Sequence, residues 1–144
     1  MQNSLYKLLV YFSFALALFS LYCALNIGLS IDENYHHRNG GLRYHYLTSL
    51  GKFDAYDWQN TRYYPGLYDT IHYTLFKLIN FLIDTEHIVK IKHSINYLFS
   101  LLGVLGLFFV NKKIFNKEVA ILSFILTFLN PFFFGHMGMN PKDP

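Results

Sequence analysis

The fold of this chain is decided by residues 8–33, which read LLVYFSFALALFSLYCALNIGLSIDE. Residues 8–31 carry no charge, and as a helix rising about 1.5 Å per residue they would extend roughly 36 Å, enough to cross a hydrocarbon core of about 30 Å. Asp32 and Glu33 end this run. A carboxylate is costly at the centre of a bilayer but stays ionised at the first hydrated turn. We therefore predict a spanning helix over 8–31, followed at once by a candidate reactive site at the membrane surface.

The composition is that of a membrane protein. Hydrophobic residues make up 53% of the chain and charged residues only 15%, whereas ordinary soluble domains are about 25% charged. The formal charge of +3 is spread along the chain without a basic run, which argues against a nucleic-acid partner. Cys23 is the single cysteine and cannot form an intramolecular disulfide. These features predict an all-α integral membrane protein.

Two further apolar segments predict two more spanning helices. Residues 94–111 are uncharged and bordered by lysines, and residues 119–134 follow a short basic link, with Pro131 bending or ending that helix. Residues 135–144 would then begin the next segment outside the bilayer. Three crossings that stop at a polar motif are typical of the N-terminal part of a larger helical bundle.

Residues 32–92 predict a long polar loop between the first and second spanning helices. Turn signals lie at Asn39-Gly40-Gly41 and at Pro65-Gly66. Within the loop, residues 66–83 repeat apolar side chains every three to four positions, interrupted by charged ones. That segment is too short and too charged to span, so we predict an amphipathic helix lying along the membrane surface.

The number of crossings decides which segments share a side of the membrane. Three crossings place the long loop and the closing Asn140-Pro141-Lys142-Asp143 on one side. The short link on the other side carries Lys112, Lys113 and Lys117. The positive-inside rule gives most weight to such short links, and the basic residues of the long loop are offset by its own acids. We therefore expect the long loop to lie outside the cytoplasm.

The acidic pair is the first candidate site. Adjacent residues on a helix point about 100° apart, so one of Asp32 and Glu33 would face a substrate while the other holds the backbone or a partner cation. A divalent cation at this pair is an open alternative, although the spacing with His36 and His37 matches no zinc signature. The plainer interpretation is a polar cap at the end of a spanning helix. His36, His37 and Arg38 supply donors suited to a phosphate or a sugar hydroxyl.

The closing segment is the second candidate site. His136 and Lys142 are candidates for binding phosphate oxygens, Asp143 for binding a cation or a hydroxyl, and Asn140 for binding substrate. The plainer interpretation is an ordinary exit loop.

Three motifs carry a resemblance to a known family. They are Ile31-Asp32-Glu33-Asn34-Tyr35-His36 after the first spanning segment, Tyr64-Pro65-Gly66 before the amphipathic segment, and Gly135-His136 leading to Asn140-Pro141-Lys142-Asp143. Together they resemble the N-terminal part of polyprenyl-phosphate-dependent glycosyltransferases of the GT-C fold, the protein O-mannosyltransferase and aminoarabinose-transferase-like enzymes.

The resemblance implies an activity and a location. It implies inverting transfer of a sugar from a polyprenyl-phosphate donor to a glycan, lipid or protein acceptor, at the periplasmic face of a bacterial inner membrane. By position, Asp32 would engage the acceptor nucleophile with Glu33 supporting it, and Arg38, His136 and Lys142 would offset the charge of the leaving lipid phosphate. The rival hypothesis is a non-catalytic membrane subunit or a transporter segment. That hypothesis expects charges inside the spanning segments, whereas this sequence keeps them at the borders.

Overall fold

The computed structural model describes residues 2–53, 66–82 and 87–139, and every regular element in these ranges is an α-helix. The helices are α1 (Gln2–Asn26), α2 (Ile31–Thr48), α3 (Leu67–Leu82), α4 (Ile88–Ile114), α5 (Lys117–Leu129) and α6 (Pro131–His136). The all-α prediction is confirmed for this part of the chain.

Two of the described helices are long and apolar enough to cross a membrane. They are α1, over Ser4–Asn26, and α4, over Ile88–Ile114. Only 17% of the most apolar window of α1 is buried against the rest of the chain, so most of its apolar side chains face outward. The helix ends at Asn26 rather than at residue 31, because residues 27–30 form a non-helical connection to α2.

The segment predicted as a third spanning helix is divided in two. The first part, α5, has 13 residues and extends only about 20 Å. The side chain of Asn130 then caps α6, its Oδ1 accepting from the Phe132 and Phe133 amides at 3.0 and 3.3 Å. Pro131 is the first residue of α6, a position where its missing amide hydrogen is not needed. By length alone, therefore, α5 does not reach across a bilayer.

Together, α5 and α6 run back along α4. Ser100 Oγ donates to the carbonyl of Met137 at 3.2 Å, and Asn96 Nδ2 donates to that of Gly138 at 3.3 Å. Since α5 starts next to the end of α4 at Ile114, the pair lies antiparallel to roughly 25 Å of that helix.

The apolar core lies between α1, α4 and the α5–α6 pair. Its buried residues are Ala24, Tyr97, Val104, Phe124, Phe128 and Met137. The rings of Phe124 and Phe128 stack at 4.8 Å, and Tyr97 donates its hydroxyl hydrogen to the Ala17 carbonyl at 2.6 Å. This last bond fixes α1 against α4.

The predicted turn at residues 39–41 is wrong, because α2 continues through it. The two glycines instead permit close packing against α3. A Cβ atom at Gly40 would overlap the backbone carbonyl of Asp69, and one at Gly41 would lie 3.0 Å from the Tyr73 ring. The polar loop predicted over residues 32–92 thus contains two packed helices, and the second, α3, coincides with the amphipathic segment.

Candidate functional site

A cluster of polar side chains lies where α2, α3 and α4 meet. Its lining residues are Glu33, His36, His37, Asp69, His72, Lys92 and Asn96. These side chains fill the space between them. Three of them, Glu33, His36 and His37, are candidates from the sequence, and the tertiary structure brings them together with polar residues of the other two helices.

Glu33 lies in a buried ion pair with His93. Its side chain is packed inside the protein, and both carboxylate oxygens lie 3.1 Å from His93 Nε2. Oε1 also accepts from the backbone amide of Ser30 at 2.9 Å. Burial opposes ionisation of Glu33, but the hydrogen bonds from His93 and Ser30 outweigh it and hold its pKa below the usual value.

The protonation of His93 follows from its two partners. Its Nδ1 lies 2.8 Å from the backbone carbonyl of Ala24, and a carbonyl can only accept, so Nδ1 carries a hydrogen. The ionised carboxylate of Glu33 can also only accept, so Nε2 carries one as well. His93 is therefore an imidazolium with a hydrogen bond from each nitrogen.

A second histidine and carboxylate meet between α2 and α3. His36 Nδ1 lies 3.1 and 3.2 Å from the two carboxylate oxygens of Asp69. Asn39 Nδ2 donates to the same carboxylate, and Arg43 Nε donates to Asn39 Oδ1 at 3.3 Å. These bonds satisfy the buried Asp69 and hold α3 against α2.

His37 and His72 are histidines whose surroundings oppose a charge. His37 Nδ1 is the buried side-chain nitrogen that lacks a hydrogen-bond partner among the described residues. Burial, together with the nearby charges of Lys92 and His72, lowers the pKa of His37 to about 4. Burial also lowers the pKa of His72, whose Nε2 lies 3.3 Å from the Lys92 carbonyl. At neutral pH, His37 is therefore a neutral ring.

The two members of the acidic pair lie in different environments. Asp32 is exposed on the first turn of α2, whereas Glu33 is 3% exposed. This divergence follows from the 100° step between adjacent helical residues. Asp32 is therefore the member whose carboxylate can meet a substrate from outside, and Glu33 is held from within by His93.

The other candidates from the sequence occupy separate positions. Arg38 is exposed on α2, and His136 stacks on Phe132 with ring centroids 4.4 Å apart. Asn140, Lys142 and Asp143 lie outside the described residues, as do Tyr64 and Pro65.

The start of the closing segment lies beside the acidic pair. Ser30 Oγ donates a long hydrogen bond of 3.4 Å to the carbonyl of Met139, and Ser30 is the N-cap residue of α2. The residue before Asn140 thus contacts the helix turn that carries Asp32.

A cation site formed by Asp32 and Glu33 together has no support in this arrangement. Glu33 faces inward to His93 and Asp32 faces outward, so the two carboxylates do not converge. Among the described residues there is no group of three or more His, Cys, Asp or Glu side chains that could hold a metal ion.

Several residues in and next to the polar cluster are not among the candidates from the sequence. Asp69 and His72 interrupt the apolar pattern of α3, and this interruption was the available signal, since polar groups on an otherwise apolar face need partners. In the sequence, Lys92 and His93 stand only at the border of the segment 94–111 that is predicted to span. Nothing in their spacing indicates that His93 would contact Glu33, because the two residues are brought together by tertiary packing.

Comparison with known families, with curated proteins and with solved structures found no match to this chain.

Proposed function

We propose that this chain is the N-terminal part of a membrane glycosyltransferase that moves a sugar from a polyprenyl-phosphate donor to a glycan, lipid or protein acceptor with inversion. The observation that carries the proposal is the division between the two acids that follow α1. Asp32 is exposed at the start of α2, while Glu33 is buried in an ion pair. In this arrangement the carboxylate of Asp32 is accessible for reaction, and the ion-paired carboxylate of Glu33 on the same helical turn holds it in place.

The exposed apolar surfaces support an integral membrane position. Leu67 and Phe81 of α3 are 77% and 85% exposed, whereas Asp69 and His72 of the same helix are buried. A helix with its polar side against the protein and apolar side chains outside suits the boundary between headgroups and acyl chains. The outward apolar side chains of α1 suit the acyl chains themselves.

A third crossing completes the proposed topology. The α5–α6 pair runs back along α4, and its end reaches Ser30 through Met139. With α1, α4 and this pair each crossing once, Asp32 and the closing segment share one side. The positive-inside argument supports the non-cytoplasmic face for that side, which in the proposed enzyme is the periplasmic face of a bacterial inner membrane.

The proposed reaction is a single displacement at the anomeric carbon. Asp32 accepts the proton of the acceptor hydroxyl or amine as its oxygen or nitrogen forms the new bond to the sugar, and the bond to the lipid phosphate breaks. A general base of this kind contributes about 10²- to 10⁴-fold. Arg38, His136 and Lys142 are the candidates for stabilising the negative charge on the departing phosphate.

The test uses the full-length protein in membranes supplied with labelled polyprenyl-phosphate sugars. We expect Asp32→Asn to reduce transfer at least about 10²-fold while leaving expression and donor binding unchanged. Glu118→Gln, which neutralises another exposed acid, is the matched control and should retain transfer. Near-normal turnover of Asp32→Asn would reject the assignment.

The second candidate function is that of a transporter segment. It is favoured by the buried titratable residues at the start of α4. An ion path has to continue through the membrane, yet residues 101–111 of α4 contain no titratable side chain. The polar cluster is therefore confined to one end of the helix, which favours chemistry at the surface. Proton or cation flux in vesicles containing the full-length protein, abolished by Glu33→Gln, would favour transport instead.

A further inference from the structure

One face of α4 contacts four other segments of the chain through polar side chains. His93, Asn96 and Ser100 follow one another by about one helical turn, and all three are at most 2% exposed. Asn96 and Ser100 donate to backbone carbonyls at the end of α6, as described above. Asn96 Oδ1 also accepts from the Tyr68 hydroxyl of α3 at 2.6 Å. His93 contacts the other two segments, α1 and α2.

His93 joins the last turn of α1 to the first turn of α2. Its Nδ1 donates to the Ala24 carbonyl at 2.8 Å, and its Nε2 donates to the Glu33 carboxylate at 3.1 Å. Because α1 ends at Asn26, Ala24 is among the last residues whose carbonyls lack a helical partner. A cation is favourable at that end of a helix, so the imidazolium satisfies both the carbonyl and the carboxylate.

We propose that His93 is a positioning residue that fixes the orientation of α2 relative to α1, and thereby the place of Asp32 at the membrane surface. Residues 27–30 between the two helices are non-helical and do not set this angle by themselves. Glu33 is the neighbour of Asp32 on the same turn, so a bond that holds Glu33 also holds the backbone that carries Asp32. The catalytic consequence of this inference rests on the proposed function, but the structural one does not.

The structural consequence is tested by hydrogen exchange of the full-length protein in lipid nanodiscs. The Ser30 amide donates to Glu33 at 2.9 Å, so peptides covering residues 27–36 report the state of the junction. We expect His93→Gln to accelerate their exchange at least about tenfold, because exchange follows the free energy of local opening. Peptides covering residues 67–82 of α3 should keep their rates.

His72→Gln is the matched control for loss of a buried histidine. His72 is 4% exposed and lines the polar cluster together with Glu33, but it contacts neither α1 nor Glu33 through a hydrogen bond that the structure describes. We expect no change at residues 27–36 in this variant. Unchanged exchange there in His93→Gln, or an equal acceleration in α3, overturns the proposal.

A second variant covers the case in which His93→Gln does not accumulate in the membrane. Glu33→Gln/His93→Gln removes both charges, so neither is left buried without a partner. The same acceleration at residues 27–36 is expected. Exchange equal to that of the unmodified protein again overturns the proposal.

A sugar-transfer assay distinguishes failure of this proposal from failure of the proposed function. Misplacement of a catalytic group by about 1 Å reduces turnover by about 10²-fold, so we expect His93→Gln to lower kcat by about that factor with little change in the KM for the donor. A fall in kcat without altered exchange contradicts positioning. If the unmodified protein transfers no sugar, the proposed function fails, while the exchange result still decides the role of His93.

Discussion

Ser30 Oγ lies 3.4 Å from the backbone carbonyl of Met139, a residue 109 positions further along the chain. Ser30 precedes the Asp32-Glu33 pair by two residues, and Met139 precedes the Asn140-Pro141-Lys142-Asp143 motif by one. The residues just before the two motifs that the sequence suggests for the active site therefore contact each other. The number of membrane crossings required only that both segments lie on the same side of the membrane. The hydrogen bond between Ser30 and Met139 also places the residues that precede the two motifs in contact.

The first prediction concerns this contact. In a Cys23→Ser background of the full-length protein, Ser30→Cys and Met139→Cys should be joined by a short bifunctional thiol reagent. The control pair is Ser30→Cys with Lys113→Cys, since Lys113 lies at the far end of α4, roughly 30 Å from His93. Cross-linking is read as a mobility shift after cleavage between the two sites. No cross-link in the first pair, or equal cross-linking in the control, contradicts the arrangement.

The second prediction concerns the contact between α2 and α3. Gly40→Ala should destabilise the protein by about 1–3 kcal/mol, because the new methyl group overlaps the Asp69 carbonyl and forces the helices apart. Gly103→Ala is the matched control, since a Cβ there meets no atom within 4 Å. Thermal unfolding in detergent measures both variants. Equal midpoints would show that α2 and α3 do not approach at Gly40.

The third prediction concerns the ion pair between Glu33 and His93. Removing one member leaves the other charge buried without a partner, so Glu33→Gln and His93→Gln should each cost about 3–5 kcal/mol. The double variant should cost much less than the sum, because neither charge then remains. Unfolding free energies of the four proteins form the cycle. Additive costs would mean that the two side chains do not interact.

The fourth prediction concerns the pH dependence that His37 confers. Its pKa is lowered to about 4 by burial and by Lys92 and His72, so the unfolded chain binds the proton more readily than the folded one. Stability should therefore be fully present above the unfolded value of about 6.5 and fall as the pH drops toward 4. Because the ring is partly exposed, we expect about 1 kcal/mol.

The comparison for this prediction uses two variants of α2. His37→Gln should remove that part of the stability change between pH 6.5 and 4, whereas His45→Gln, which removes an exposed histidine of the same helix, should retain it. Thermal midpoints at several pH values provide the measurement. A slope unaffected by His37→Gln would assign the effect to other groups.

Local sequence patterns predicted the long helices but not every helix. Length and apolar composition located α1 and α4, and the three-to-four residue repeat located α3, because these signals depend only on neighbouring residues. They failed at α2, where Gly40-Gly41 is a turn signal in sequence. Two adjacent glycines within a helix allow close packing when a second helix lies opposite, and that second helix is distant in sequence.

The candidate site was only partly predictable. The divergence of Asp32 and Glu33 followed from the helical step between adjacent residues, whereas the inward position of His36 and His37 did not. Their partners are residues of α3 and α4, among them Asp69. These residues are distant in sequence and come into contact with α2 only when the chain folds. The sequence predicts that both histidines bind substrate. In the structure, His36 instead lies within hydrogen-bonding distance of the Asp69 carboxylate.

By itself, the sequence determined the all-helical class, the two helices long and apolar enough to span a membrane, and the acidic pair that follows the first of them. Hydropathy and helical period are properties of contiguous residues, so no tertiary information is needed for them. Only the tertiary structure decided that Glu33 pairs with His93 and that Ser30 meets Met139. Those contacts join residues 60 and 109 positions apart, and the packing of α4 against the other helices creates them.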